Sequence, residues 1–170
     1  VETPSGIKHL SMKVKDGKVE LVTVDMGRPV PTSEIGEPIT VDGKEYRFTG
    51  VSMGNPHAVI FLEEINGISL EGTGRELELH PRFPERANIE FCHVTARDRM
   101  EIRVWERGVG ETLACGTGAC AAVVASVLND LTDEEVIVKL LGGELSVRWD
   151  RKVNHVFLEG PAVKVFDGVL

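Results

Sequence analysis

One segment of the chain is apolar on every side. From Ala119 to Leu128 the sequence contains no charged residue and presents no polar face. A helix that is apolar all round has to be enclosed by protein, and the small side chains of this segment would let neighbouring strands approach closely. Asn129 and Asp130 end the segment. We therefore predict one central helix that the rest of the chain covers.

Most of the remaining sequence is typical of antiparallel sheet. Asp-Gly pairs at 16–17 and 42–43 separate alternating runs, and Asp-Gly is a strong hairpin signal because both turn residues adopt positive φ. Residues 25–38 contain three prolines and two glycines and are predicted as a loop. The predicted strands are Ser11 to Lys15, Lys18 to Val24, Ile39 to Val41, Lys44 to Phe48, Ala58 to Leu62, Ile89 to Val94, Met100 to Trp105, Val136 to Leu140, Glu144 to Trp149, Val156 to Leu158 and Val163 to Phe166.

These patterns predict an α+β fold, a mainly antiparallel or mixed sheet curled around one central buried helix.

Composition excludes several classes of function. The 170 residues carry 19 Lys and Arg against 27 Asp and Glu, a net charge of −8, which disfavours nucleic acid as a partner. No run of about 18 apolar residues occurs, so no membrane span is expected. Three cysteines do not form a disulfide framework, and we interpret them as thiols in a reducing cytoplasm.

A glycine-rich stretch leads into the predicted helix and places Cys115 at its start, followed by Gly116, Thr117 and Gly118. The N-terminus of a helix presents unpaired N–H groups and partial positive charge, and glycines leave those donors open to a carboxylate. A thiol at this position is expected to have a pKa below the usual ~8.5. Glu106 and Arg107 stand just before the loop, where they could hold an ammonium and a carboxylate.

The other two cysteines are predicted to belong to the core. Cys120 lies about one helical turn beyond Cys115 in the apolar segment, and Cys92 lies in a predicted strand. A metal site at Cys92 and His93 is not expected, because no second Cys/His pair has matching spacing.

Two further stretches could contribute to a site. Gly54-Asn55-Pro56-His57 precedes a predicted strand, and Asn88 opens another. Asn, Pro and Gly are also ordinary turn residues, so plain turn chemistry remains an alternative for both stretches. In a site, Asn55 would donate and accept hydrogen bonds to a carboxylate, and His57 would orient a group or exchange a proton.

Together these motifs resemble the diaminopimelate epimerase family. The motifs carrying the resemblance are Gly54-Asn55-Pro56-His57, Arg86-Ala87-Asn88-Ile89, Glu106-Arg107-Gly108 through Ala114-Cys115-Gly116-Thr117-Gly118-Ala119, and the tail from Leu141-Gly142-Gly143 to Leu158-Glu159-Gly160-Pro161-Ala162. The resemblance covers essentially the whole chain. It implies an isomerase that needs no pyridoxal cofactor and interconverts LL- and meso-diaminopimelate, on the route to lysine and peptidoglycan.

The resemblance also implies a role for each matched residue. Cys115 would be one of two cysteines that act as acid and base on opposite faces of the substrate, with His57 beside the thiol. The reacting carboxylate would bind at Gly116 and Thr117, and the reacting amino group at Glu106. Glu106 and His57 would thus join Cys115 as catalytic residues. The distal end of the substrate would contact Arg107, Asn55 and Asn88. The resemblance implies no metal, and family members often form dimers, so a homodimer is possible.

One departure from the family is large. The family fold has two pseudo-symmetric halves, and the Met-Cys-Gly-Asn-Gly stretch that carries the other cysteine is not found in this sequence. We therefore expect this chain to be the second half, with 16–160 as its catalytic domain. Residues 1–15 and 161–170 would belong at the edge of the first half, which becomes the expected partner. Alternatives left open are a proline or hydroxyproline racemase, and a folded but catalytically silent fragment.

Overall fold

The computed structural model of the chain describes residues 1–3, 6–166 and 168. Within these residues the strands are β1 (Glu2–Thr3), β2 (Gly6–Ile7), β3 (Leu10–Lys15), β4 (Lys18–Gly27), β5 (Val30–Pro31), β6 (Glu37–Val41), β7 (Lys44–Ser52), β8 (Pro56–Phe61), β9 (Asn88–Ala96), β10 (Arg99–Glu106), β11 (Gly110–Thr112), β12 (Glu135–Leu140), β13 (Gly143–Asp150) and β14 (His155–Pro161). A π-helical turn (Leu70–Gly74) runs into α1 (Arg75–Glu78), and α2 is Gly116–Leu128.

One large sheet contains all of these strands except the small β1–β2 pair. Its order is β3-β4-β14-β13-β12-β10-β9-β8-β7-β5, with β6 added beside β7 and β11 beside β10. The β8–β9 and β10–β12 pairs are parallel, and the other pairs are antiparallel. In both predicted Asp-Gly turns the two residues have positive φ, which confirms the predicted hairpins.

Helix α2 lies inside the curl of this sheet. It contacts β7, β8 and β9 toward one end of the strand order, and β12, β13 and β14 toward the other. Every residue from Gly118 to Ser126 is buried. The prediction of a sheet curled around one central, enclosed helix is therefore confirmed.

The strands β8 and β9 are covered on both faces. Val59 and Cys92 face the cluster around α2, whereas Ile60 and Phe91 face a second cluster that contains Leu70 and Leu77 from the π-turn and α1. Because side chains alternate along a strand, His57 and Glu90 share the α2 side with Val59 and Cys92. Polar residues on this side of the sheet are consequently enclosed.

Two sequence predictions about secondary structure were wrong. Residues 25–38 are not a continuous loop, since β4 runs to Gly27, β5 occupies Val30–Pro31 and β6 starts at Glu37. Residues 163–166 form no strand, and their side chains are exposed. Helix α2 begins at Gly116, directly after Cys115, as the glycine-rich stretch predicted.

The first and last parts of the chain border open surface. Strand β3 begins the order of strands and carries the exposed side chains of Leu10, Met12 and Val14. It pairs with β4, so it is an edge of this sheet. The assignment of residues 1–15 and 161–170 to another half stays a prediction, and residues 4, 5, 167, 169 and 170 lie outside the described part.

No helix in the described residues combines the length and apolar character needed to cross a membrane.

Candidate active site

The site is built around Cys115, the residue that precedes the first turn of α2. Its backbone is extended (φ −129°, ψ 107°), and its carbonyl accepts the first helical hydrogen bond, from the Ala119 amide, at 2.9 Å. The residue is 6% exposed. Its Sγ lies 3.6 Å from Thr117 Oγ1. The thiol therefore lies at the start of the helix, where amide donors have no helical partners.

A histidine and a glutamate form a fully buried pair on the same side of the sheet. His57 Nδ1 lies 2.7 Å from Glu90 Oε1, and both side chains are 0% exposed. The pair joins two neighbouring parallel strands, β8 and β9, whose register places Val59 opposite Glu90. The other ring nitrogen, Nε2, lies 3.1 Å from Asn55 Oδ1.

Asn55 connects this pair to the helix. Its Nδ2 donates to Thr117 Oγ1 at 3.4 Å, and Thr117 in turn contacts the Cys115 sulfur. The structure thus brings together four of the residues predicted from sequence, namely Asn55, His57, Cys115 and Thr117. It adds Glu90, which the sequence analysis did not identify.

Asn88 lies close by but is engaged with backbone groups. Its Nδ2 donates to the Pro56 carbonyl at 3.1 Å, and its Oδ1 accepts from the Arg107 amide at 2.9 Å. These bonds tie the start of β8 to the loop that follows β10. In this structure Asn88 positions the neighbouring residues, and its predicted contact with the distal end of a substrate stays a prediction.

Glu106 and Arg107 differ in their exposure. Glu106 is half-buried at the end of β10 and accepts a 2.5 Å hydrogen bond from Thr112 Oγ1. Its charge acts on both Glu90 and Cys115. Arg107 is exposed, and its Nη1 donates to the Glu85 carbonyl at 2.9 Å. A carboxylate close to the thiol and a cation further out are therefore arranged along one loop.

A second buried carboxyl group that the sequence analysis missed holds this loop. Glu78 Oε1 accepts from the Gly108 amide at 3.0 Å, and its Oε2 accepts from Trp105 Nε1 at 2.8 Å. Glu78 is 4% exposed. No pattern around it in the sequence separates it from an exposed helical glutamate, because α1 is only four residues long.

The prediction of a lowered pKa for the Cys115 thiol was wrong for this chain. Burial raises its pKa, and the nearby carboxyl groups of Glu90 and Glu106 act in the same direction when they are ionised. Hydrogen bonds from Thr117 and from the Gly118 amide act to lower it, but they are outweighed. The cause is the depth of the sulfur, since removing a thiolate from water costs more than two hydrogen bonds return.

The other two thiols are enclosed, as predicted. Cys92 and Cys120 are each 0% exposed and belong to the core cluster around α2. Burial raises the pKa of both thiols well above the ordinary range. Within the described residues, no group of three or more His, Cys, Asp or Glu side chains could hold a metal ion.

Comparison of the fold with solved structures shows related architecture at low identity. A hydroxyproline epimerase from Agrobacterium vitis aligns with a TM-score of 0.69 and 17% identity, over 94% of this chain and 55% of that protein. A probable proline racemase from Agrobacterium radiobacter aligns with a TM-score of 0.67 and 16% identity, over 98% and 59% of the two chains. These similarities establish the fold.

Comparison of the sequence is more specific. The family model described as "Diaminopimelate epimerase" matches residues 49–165. Curated diaminopimelate epimerases from Acetivibrio thermocellus and Methanococcus maripaludis are 51% and 47% identical, each over 99% of this chain. The chain spans 64% and 65% of the length of these two relatives. By its sequence, this chain belongs to the diaminopimelate epimerase family.

Proposed function

We propose that this chain supplies one face of an epimerase that inverts an α-carbon of diaminopimelate, with Cys115 as one of two acid/base thiols. The observation that carries the proposal is the position of the Cys115 sulfur, at the first turn of α2 and within 3.6 Å of a hydroxyl donor. Family membership supplies the reaction class and the substrate.

The α-C–H of an amino acid is a weak acid, so the reaction requires stabilisation of the carbanion that forms when the proton leaves. Negative charge develops on the carboxylate as the α-proton leaves, and fixed donors in a dry pocket are the efficient way to stabilise it. The amides of Gly116 and Thr117 begin α2 next to Cys115 and would receive that carboxylate. Cys115 Sγ would then take or return the proton. No pyridoxal or metal is assigned to the site in this proposal.

Neighbouring side chains would hold the rest of the substrate. Glu106 is half-buried and electrostatically coupled to the thiol, so it suits the reacting ammonium group. Exposed Arg107 suits the carboxylate at the distal end, together with Asn55 and Asn88. His57 stays beside the thiol through Asn55 and Thr117. This set of groups fits a substrate with two amino-acid heads.

Inversion needs a second proton donor on the opposite face. Cys92 and Cys120 are both 0% exposed and point into the core, so neither is suited to that role. We propose that the second thiol comes from a partner, the other half of the family fold, which would dock along the open edge at β3 and the 161–170 tail. A homodimer of the complete assembly is a further part of this proposal. The free thiols suit a reducing cytoplasm, and the chain would act on a small molecule without nucleic acid or membrane as a partner.

The test is complementation. The chain is incubated with LL-diaminopimelate in D₂O, alone and with a polypeptide covering the part of the Acetivibrio thermocellus relative that this chain does not span. We expect conversion to the meso isomer and deuterium at the α-carbon only when both polypeptides are present. Sustained conversion by the chain alone would overturn the proposed division of the two thiols between halves.

Matched cysteine variants identify the sulfur involved. Cys115→Ala is expected to abolish conversion in the complemented mixture, whereas Cys120→Ala, one turn deeper in α2, should retain it. Equal activity of the two variants would remove Cys115 from the mechanism.

A proline-type substrate is the second candidate, because a hydroxyproline epimerase and a probable proline racemase are among the solved structures that share this fold. Parallel assays with L-proline and trans-4-hydroxy-L-proline decide between the candidates. We expect turnover of diaminopimelate only. Faster turnover of an imino acid would reassign the substrate while leaving the role of Cys115 in place.

A further inference from the structure

Glu90 is a buried ionisable group to which the proposed reaction assigns no role. It is 0% exposed on the α2 side of β9, and Oε1 contacts His57 Nδ1 at 2.7 Å. Among the described residues, its second oxygen, Oε2, has no hydrogen-bond partner. An ionised carboxylate with one bare oxygen in a dry site is costly, whereas a neutral carboxylic acid can leave a carbonyl oxygen unpaired at a smaller cost.

The hydrogen bonds on the other side of His57 fix where its ring carries a proton. Nε2 faces Asn55 Oδ1 at 3.1 Å, and an amide oxygen only accepts, so Nε2 must donate. The 2.7 Å contact at Nδ1 then has two forms. Either a charged imidazolium donates to a carboxylate, or a carboxylic acid donates to the unprotonated Nδ1 of a neutral ring.

The surroundings favour the neutral form. Burial raises the pKa of Glu90, the contact with His57 opposes that shift, and the Glu106 carboxylate adds to it. Within the part of the chain that the structure describes, the titratable groups that interact with Glu90 are His57, Glu106, Cys92 and Cys115. His57 is the one basic group in that set, and sharing a single proton with Glu90 leaves the pair uncharged.

The hydrogen bonds between His57 and Cys115 all run in one direction, with each group donating to the next one toward the thiol. Asn55 uses its oxygen for His57, so its Nδ2 donates to Thr117 Oγ1. The Thr117 oxygen accepts that bond, which leaves its hydroxyl hydrogen available for Cys115 Sγ at 3.6 Å. A donor aimed at sulfur stabilises the thiolate.

We propose that Glu90 is a positioning residue that remains a carboxylic acid, donates to His57 Nδ1, and so orients the His57–Asn55–Thr117 chain that directs a hydroxyl hydrogen at Cys115 Sγ. This inference rests on the proposed function for its role in catalysis, but the arrangement itself is testable without substrate. Glu90 acts only through its neighbours and touches no reacting atom.

The first experiment is ¹⁵N NMR of the chain labelled at histidine, recorded near neutral pH. We expect His57 to show an unprotonated, hydrogen-bonded Nδ1 and a protonated Nε2. Two protonated nitrogens would establish the ion pair, and a proton on Nδ1 alone would reverse the chain of donors. Either result overturns the proposal, whether or not the chain supports epimerisation.

The second experiment measures the rate of Cys115 alkylation by iodoacetamide in variants of residue 90. Glu90→Gln retains a neutral donor for Nδ1 and should keep both the His57 spectrum and a rate within about threefold of the parent. Glu90→Leu removes the donor, and the rate should fall by about tenfold, the loss expected when a hydrogen bond to a charged group is released.

An anionic Glu90 predicts the opposite sign. Removing a negative charge beside Cys115 would stabilise its thiolate, so both variants would then react faster than the parent, and such an increase overturns the proposal. Ser126→Ala is the matched control, because it removes buried hydrogen bonds at the far end of α2. The control should leave the His57 spectrum and the alkylation rate unchanged. If Glu90→Leu does not fold, the His57 spectrum of the parent and the alkylation rate of Glu90→Gln still distinguish a neutral Glu90 from an anionic one.

Discussion

Glu90 occupies the space that a side chain at Gly118 would need. A Cβ built on Gly118 would lie 2.8 Å from Glu90 Oε1 and 3.2 Å from Cys115 Sγ. The absence of a side chain in the first turn of α2 therefore lets the strand β9 carboxyl group and the helix thiol approach the same patch of backbone. Glycine is needed here for close approach.

Gly118→Ala is expected to lower the free energy of unfolding by about 1–3 kcal/mol, the usual cost of inserting an atom into a packed core. Urea denaturation measures the change. Gly67→Ala is the control, because a Cβ there would meet nothing within 4 Å. Equal urea midpoints for Gly118→Ala and the parent would show that Glu90 can move aside without lowering the stability of the fold.

Glu78→Ala is expected to loosen the loop that carries Glu106 and Arg107. The variant leaves the Gly108 amide and the Trp105 indole N–H without their acceptor, which costs about 1–3 kcal/mol. Hydrogen exchange at the Gly108 amide should accelerate, and the free energy of unfolding should fall. The exposed Glu71, on the same segment, provides the control Glu71→Ala, for which neither change is expected.

Acid should weaken the pairing of β4 with β14 through Asp25. Partial burial acts to raise the pKa of Asp25, but hydrogen bonds from His155 and the Gly27 amide outweigh it, and together they hold its pKa below the usual range of an aspartate. A group with a depressed folded pKa contributes stability above its unfolded pKa and loses it as pH falls through the folded pKa. The contribution of Asp25 is therefore complete at neutral pH and is lost in acid, as the pH falls from the ordinary range of an aspartate through its lowered folded pKa.

Urea midpoints measured from about pH 6 to about pH 2 test this sign. Asp25→Asn should remove part of the acid-dependent loss, so its curve should converge on the parent curve at the lowest pH. Glu20→Gln, at an exposed position on the same strand, should follow the parent throughout. A constant offset between Asp25→Asn and the parent would contradict the assignment.

Alkylation of Cys115 should increase with pH beyond the range of an ordinary thiol. Because burial raises its pKa above that of an ordinary thiol, only a small fraction is thiolate near neutral pH. A chain with Cys92→Ala and Cys120→Ala isolates the signal of Cys115, and rates of reaction with iodoacetamide from about pH 7 to about pH 10 give the profile. A plateau below pH 8 would show that the two hydrogen bonds to sulfur prevail over burial.

The enclosed helix and the Asp-Gly hairpins could be predicted because each depends on a local pattern. The strand β5 and the first two residues of β6 could not, since Pro31 and Pro38 usually indicate loop. Both strands lie at the sheet edge beside β7, where a missing N–H costs little. Gly116 and Gly118 likewise disfavour helix by propensity, and packing inside the sheet overrides that preference.

Residues of the candidate site could be predicted from the sequence only where a short motif contains them. Asn55, His57, Cys115 and Thr117 stand in short motifs whose residue types indicate their chemistry. Glu90 stands between Ile89 and Phe91, an alternation that ordinarily places the polar residue in solvent. Here the sheet curls around α2 and α1 covers its other face, so both sides are buried. Only the three-dimensional arrangement shows that this glutamate faces the site.

The enclosure of α2 also determines which part of the site can move. Amides of a helix surrounded on all sides exchange with solvent only when the whole domain opens, so this element belongs to the last part of the chain to unfold. Cys115 is attached to that element, whereas Glu106 and Arg107 lie on a loop fixed by a few hydrogen bonds. Any adjustment to an arriving ligand would therefore come from the loop, while the sulfur remains a fixed reference point.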